Sequence, residues 1–480
     1  MKLSDIIKNK VVIYLASRYL TYFLYFVTSL VVASKLGPFY FGIWGFVLLL
    51  INYFQQIHFG IHNSFNVLYV QNRDSEKECK NYVANALALE GYLGIIICIL
   101  FVVYTICGSS WFEKYDADKY VIWICLIAIL QHFNTMLINL FRVKNMLGSV
   151  AFCQTIVVVL QFGSIFVFSG ETLIYVLILC YVIGYSVAFL VAWLSGALDL
   201  KGARLSLTYQ GAILKKGLLL FLYNTCFYFI IISVRTIISG NYEVEEFGLF
   251  SFSFTLAHAV MLLLESLMFV IFPKMIGKMT GDNKEEIQST LRKFRLVYIS
   301  SAHGLIYLAL IAFPLLIKLF PNYSGALTSM NLIALTVLMN TSGSGYTELL
   351  IARNKENILS IVSSLALVVN VLIAILLVYV ANVGFSYVII ASLVTYFLYT
   401  FAIVKIGMNI TGSGRNTFMQ DFFPFRLLLP YVSALVISIF QLEVFVFVPF
   451  VLFVIFNINE GKAIFGMIKR VLAKPDIMYL

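Results

Sequence analysis

Phe41-Gly42-Ile43-Trp44-Gly45-Phe46 returns 206 positions later as Phe247-Gly248-Leu249-Phe250-Ser251-Phe252. Each copy follows one long apolar run and opens the next. A second echo, Arg142-Val143-Lys144-Asn145 against Arg353-Asn354-Lys355-Glu356, lies at a similar offset of 211, again between apolar runs. Two matches in the same order, each at the same kind of boundary, predict a chain built by duplication.

What is duplicated belongs in lipid. Hydrophobic residues make up 61% of the 480, charged residues only 12%, and the mean hydropathy of +0.95 excludes an ordinary soluble globular protein. Runs of roughly 18 to 25 apolar residues cross a bilayer as helices, and fourteen can be traced: 11–33, 40–62, 83–107, 120–141, 147–168, 173–195, 216–238, 248–272, 297–318, 326–350, 358–380, 384–406, 427–442 and 444–458. The expected fold class is therefore all-α and integral to the membrane, with two pseudo-symmetric six-helix bundles and an appended pair. With the N-terminus cytoplasmic, 27 of the 33 basic residues fall on the inner side and four, Lys35, Lys114, Lys119 and Lys318, on the outer; Arg18 and Arg235 lie within spans. That asymmetry fits an even number of crossings with both termini cytoplasmic. It also accounts for the net charge of +10 through anionic lipid head groups, without nucleic acid.

The basic start followed by an apolar run reads as the first span, because the run is too long for the apolar region of a signal peptide. The seven cysteines show no CxxC or Cys/His ligand spacing and read as small packing residues. No GxxxxGK[ST] phosphate loop is present, so nothing implies nucleotide hydrolysis or a cofactor. The longest inner connections are 196–215 and 274–295; the first is the natural joint between halves, which gives bundles 1–200 and 201–410 and an appended 411–480. Six spans per bundle make the repeats parallel, an arrangement that places a cavity between them.

Leu36-Gly37-Pro38 with Phe41-Gly42 after the first span, the basic Arg142-x-Lys144 corner, and the 6 + 6 + 2 layout resemble the Wzx-type polysaccharide flippases of the multidrug/oligosaccharidyl-lipid/polysaccharide (MOP) exporter superfamily. The resemblance implies a bacterial inner-membrane protein that moves an undecaprenyl-diphosphate-linked oligosaccharide, commonly an O-antigen repeat unit, from the cytoplasmic to the periplasmic leaflet. It implies membrane lipids, a coupling ion such as H+ or Na+, and the polysaccharide polymerase and chain-length machinery as partners.

Physics asks separately which residues would carry such a head group. An ionisable side chain in a span is costly and marks a wet or paired environment. Arg18, about 10 Å into the first span by helical rise, would bind phosphate oxygens bidentately; the competing reading is snorkelling to the inner head groups. Arg235 is a second such cation, for which snorkelling or pairing with Glu243, Glu245 or Glu246 stands beside a binding role. Gln55, His58, His62 and Asn66, spaced by 3, 4 and 4, fall on one helical face and suit either sugar hydroxyls or interhelical hydrogen bonds. Two histidines at i, i+4 with no carboxylate ligand nearby do not make a metal site. Glu90 and Glu265 are buried by sequence position and read as arginine partners, for instance of Arg18, as helix-pairing groups, or as ion-coupling groups. Gly343 and Gly345, within Asn340-Thr341-Ser342-Gly343-Ser344-Gly345, mark either a helix break lining a cavity or close helix packing. Gln131, His132, Asn134 and Asn139 give the fourth span a similar polar character.

Two rivals share these features. A cation-coupled multidrug antiporter of the same superfamily requires a carboxylate in the N-terminal bundle, which Glu90 would supply and Arg18 opposes. A membrane O-antigen polymerase or ligase would need a sizeable outer loop bearing arginines, and the outer loops carry only lysines.

Overall fold

In hydrocarbon, long apolar segments satisfy their backbone N–H and C=O groups only internally, which leaves the helix as the element for a chain of this pattern. The computed structural model describes residues 10–107, 110–281, 283–412, 418–458 and 460–461, without the side chains of 10–16, 110–111, 220, 261–274 and 419–420. Among the described residues all regular elements are helical. They are α1 (Lys10–Gln56), α2 (Ile61–Gln71), α3 (Glu76–Cys107), α4 (Val121–Val143), α5 (Leu147–Ser164), α6 (Gly170–Leu194), α7 (Leu207–Asn241) and α8 (Val244–Met279). After these come α9 (Lys284–Leu319), α10 (Leu327–Thr341), α11 (Tyr346–Ala352), α12 (Glu356–Tyr379), α13 (Ile390–Thr411), α14 (Phe425–Ile439) and α15 (Val448–Phe456). Nine described helices are long and apolar enough to cross a membrane. The fourteen apolar runs fall on α1 and α3 to α15, because α1 carries most of two of them, divided at Gly37 (φ 67) and Pro38, and because α10 and α11 share the tenth. A glycine that accepts positive φ, followed by an imino acid without an N–H, is what lets one span end and the next begin without a loop. The chain is a multi-pass membrane protein.

Two compact units emerge, residues 1–225 with 242–248, and residues 226–241 with 249–480. In the first, Phe46 stacks on Tyr115 with ring centroids 4.2 Å apart, and Tyr115 meets the edge of Phe247 at 5.8 Å. Phe46 of the first motif copy and Phe247 of the second thus share Tyr115. A Cβ on Gly42 would run into the carbonyl of Val244, and one on Gly248 into the carbonyl of Pro38. At the 206-residue offset Val244 is the counterpart of Pro38, so the contact is reciprocal, as contacts between equivalent surfaces are. The second echo takes a different register. The equivalent residues are Asn145 (φ 57) and Asn354 (φ 51), 209 apart rather than 211, each opening the turn before α5 or α12. The left-handed asparagine that turns the chain marks the repeat there, not the basic pair around it.

The loop between α6 and α7 is strapped down. Asn81 and Asn85 of α3 accept from the backbone N–H groups of Arg204 (2.8 Å) and Ser206 (2.9 Å), and Asn85 donates to the Arg204 carbonyl at 2.8 Å. Lys80 bridges to Asp199 at 2.9 Å, and its ammonium holds that carboxyl below the usual carboxylate range. The long connection expected at 274–295 is corrected. α8 runs to Met279 and α9 starts at Lys284, where Asn283 caps it by accepting from the N–H groups of Glu285 and Glu286.

The second unit is tied by interhelical polar contacts, which suit a solvent where apolar burial provides little drive. Asn370 donates to the Ile230 carbonyl (2.7 Å) and to Ser233 (2.8 Å), the Ser253 and Ser329 hydroxyls lie 2.6 Å apart, and Tyr431 donates to the Leu335 carbonyl at 3.0 Å.

Candidate functional site

The first unit has a polar interior made by four helices. On α1, Arg18, Tyr22 and Tyr25 fall at i, i+4 and i+7, one face of the helix. On α5, Gln154, Val158 and Gln161 repeat that spacing, and on α6 Tyr181 and Tyr185 face the same space. With Ser17, Thr21, Thr155 and Asn134 they line a cavity of about 250 Å³. Arg18 is half-buried; its Nε–H donates to the Tyr22 hydroxyl at 2.7 Å, and its guanidinium carbon sits 5.4 Å from the centre of that ring. Thr21 and Thr155 share a hydrogen bond of 2.7 Å across α1 and α5. No carboxylate stands among the described residues that line this space.

A second cavity, of about 220 Å³, opens on another face of α4 and is lined by Gln55, Gln56, His58, His62, Asn63, Gln131, His132, Thr135 and Asn139. The single helical face expected for Gln55, His58, His62 and Asn66 does not form. α1 stops at Gln56, Phe59 (φ 44) and Gly60 (φ 77) turn the chain, and α2 begins at Ile61. Three of the four still converge on one cavity because the turn is tight. Asn66 instead donates to the Asn139 side chain at 2.7 Å, and Arg142 of the basic corner donates to the same oxygen at 2.9 Å.

Glu90 does not pair with Arg18. Its carboxylate is fully buried between two imidazoles, His62 Nε2 at 2.9 Å and His132 Nδ1 at 3.3 Å. The carboxylate that the i, i+4 histidines lack in sequence is thus supplied by another helix, α3. His132 is a member of this trio that spacing alone did not select.

Arg235 is buried at 3% exposure, its guanidinium carbon 4.6 Å from the centre of the Phe254 ring. Glu265 lies outside the described residues. Gly343 and Gly345 fall in the turn between α10 and α11, where Gly345 adopts φ 92 and donates its N–H to Glu348. That turn is filled by Arg295 of α9, a residue the sequence placed in a loop. Its Nη1 donates to the carbonyls of Ser342 (2.8 Å) and Ser344 (2.6 Å), its Nη2 to the carbonyl of Asp421 (2.5 Å), and its guanidinium carbon lies 5.0 Å from the centre of the Tyr346 ring.

No family profile matches the sequence, and no curated protein matches it. Solved structures do. "Lipid II flippase MurJ, inward closed conformation" superimposes with a TM-score of 0.68 at 13% identity, covering 95% of this chain and 99% of that one. An inward-facing multidrug resistance MATE family transporter of the MOP superfamily gives 0.68 at 14% identity over 82% of this chain and 95% of that one. A MOP superfamily transporter from Pyrococcus furiosus gives 0.58 at 16% identity over 84% of this chain and 94% of that one. A polar, arginine-bearing interior inside a multi-helix membrane shell is thus carried on the fold shared by the MATE transporters and the MurJ flippase of the MOP superfamily.

Proposed function

We propose that this protein is a flippase that carries an undecaprenyl-diphosphate-linked oligosaccharide, an O-antigen-type repeat unit, from the cytoplasmic to the periplasmic leaflet of a bacterial inner membrane by alternating access. The observation that carries this reading is the Arg18 cavity: one guanidinium, four tyrosines and threonines at its back, three side-chain amides, and no described carboxylate. Such a lining offers charge-assisted hydrogen bonds to phosphate oxygens and neutral ones to hydroxyls, while the polyprenyl tail stays in hydrocarbon. Proteins with this fold include a lipid II flippase, and none of the structures compared above is a glycosyl-transfer enzyme. The functional halves in this reading are 1–200 and 201–410, with 411–480 appended, and Arg235 contributes a second cation.

Arg18→Ala tests it. Losing charge-assisted hydrogen bonds of about 1.5–3 kcal/mol lowers transport roughly 10- to 100-fold, read as loss of surface polysaccharide when the variant complements a deletion strain, at unchanged protein level in the membrane. Arg18→Lys, a point charge without the fork, restores part of it. Normal polysaccharide in Arg18→Ala cells overturns the assignment.

A second reading, a cation-coupled multidrug antiporter, is favoured by the buried Glu90 and the fold shared with a multidrug MATE transporter. It predicts ethidium efflux from a pump-deficient strain that Arg18→Ala leaves intact and Glu90→Gln abolishes.

A further inference from the structure

We propose that His62, Glu90 and His132 form a binding site for one divalent transition-metal ion of the zinc type, independent of the cargo. The inference starts from His132. Its Nε2 lies 2.9 Å from the carbonyl oxygen of Phe54. A carbonyl only accepts, so Nε2 carries the proton and, in the neutral ring, Nδ1 presents a lone pair. That lone pair is aimed at Glu90 Oε2, 3.3 Å away. Two electron-rich atoms at this distance, deep in a protein interior, repel unless a positive charge lies between them.

The rest of the trio tells the same story. Glu90 is fully buried, with His62 Nε2 2.9 Å from its other oxygen; both imidazoles stand at ion-pair distance, but neither meets the carboxylate in well-aligned hydrogen-bonding geometry. A buried carboxylate left that way costs several kcal/mol, and a cation at the centre of the cluster removes the cost. One donor atom from each of the three residues lies within 4.8 Å of the others; a tetrahedral ion with bonds of about 2.0–2.1 Å spaces its ligands by roughly 3.3 Å. Two imidazoles and a carboxylate suit zinc and its neighbours rather than sodium, calcium or magnesium, which take oxygen ligands. The outer partner is in place as well, since a ligating histidine usually gives its second N–H to a carbonyl, as His132 does to Phe54. The adjoining 220 Å³ cavity, which His62 and His132 line beside His58, gives the ion a path and room for a water or a further ligand. Because the three residues stand on α2, α3 and α4, an ion here ties three helices together.

The test uses the full-length protein purified in detergent and stripped with a chelator, then titrated with Zn2+ or Co2+. The expected result is one ion per chain, tetrahedral Co2+ absorption in the visible, and a melting temperature that rises with Zn2+. Glu90→Gln and His132→Ala lose this binding by at least the 10- to 100-fold that the loss of mere outer partners costs, and their melting no longer responds to Zn2+. Should either variant fail to fold, His62→Gln, which keeps the bulk, gives the same readout. Failure of the wild-type chain to bind, or binding equal to wild type in the variants, overturns the site; so does a protein whose melting answers to acidification but not to Zn2+, since a proton is then the missing charge. Flipping activity enters none of these readouts, so failure here leaves the Arg18 reading standing.

Discussion

Arg18 and Arg295 both sit in long helices and both border cavities, yet their visible partners differ. Arg295, 8% exposed, spends donors on two backbone carbonyls where α10 breaks before α11 and on that of Asp421, while also lining cavities of about 540 and 330 Å³. Arg18 is half-buried, touches Tyr22, and faces a cavity lined by amides and hydroxyls. An arginine in a membrane span is therefore not in itself a binding residue. What separates the two is that the visible partners of Arg295 are the protein's own carbonyls, whereas Arg18 is the one proposed above to serve a molecule entering its cavity.

The contrast breaks most visibly at Arg295. Each carbonyl stranded without its donor in a buried site costs about 1–3 kcal/mol, so Arg295→Ala loses roughly 3–5 kcal/mol of stability, and Arg295→Lys recovers little because a point charge cannot span three acceptors. Melting of the detergent-solubilised variants, with yield in the membrane, measures this. Arg18→Ala, by comparison, leaves melting within about 1 kcal/mol while lowering transport roughly 10- to 100-fold. A variant Arg295→Ala that melts like wild type would remove the distinction.

Gly345 sharpens it from the other side of the same turn. At φ 92 a side chain is strained by about 1–3 kcal/mol, and a Cβ would come within 3.0 Å of Arg295 Cγ. Gly345→Ala therefore destabilises less than Arg295→Ala, and in the double variant the two losses fall short of their sum because one network is broken twice; thermal melting of the two singles and the double decides it.

These residues also show how far the sequence was legible. Runs of apolar residues, basic asymmetry and the repeat beginning at Phe41 led to the all-helical fold, because lipid leaves the backbone one choice. The glycines of the α10–α11 break stand out in an apolar run, but Arg295 lay just outside the run drawn for its helix and so looked like a loop cation. His62 and Glu90 were visible as polar residues in spans. Their meeting with His132 was not, because three helices separated by 28 and 42 positions converge only through packing, and because the turn at Phe59–Gly60 breaks the helical spacing that spacing arguments assume. The Arg18 cavity did leave a trace, polar and aromatic residues at i, i+4 and i+7 on α1 and α5, which is visible once a cation on one face is taken as the point to search from.

The smallest effect separates a positioned Arg18 from a merely tolerated one. Tyr22→Phe removes a single hydroxyl from the 2.7 Å bond to Nε and keeps the ring beneath the guanidinium. A hydrogen bond of this kind contributes about 1 kcal/mol, so stability should move by less than that while transport falls severalfold, as the fork loses its orientation but not its charge. Surface polysaccharide chain length in Tyr22→Phe cells reports the difference. Transport equal to wild type would mean that the arginine works as a diffuse positive charge, and then Arg18→Lys should be fully active too; the two variants must rise or fall together, which Arg295, whose donors are committed to fixed carbonyls, cannot imitate.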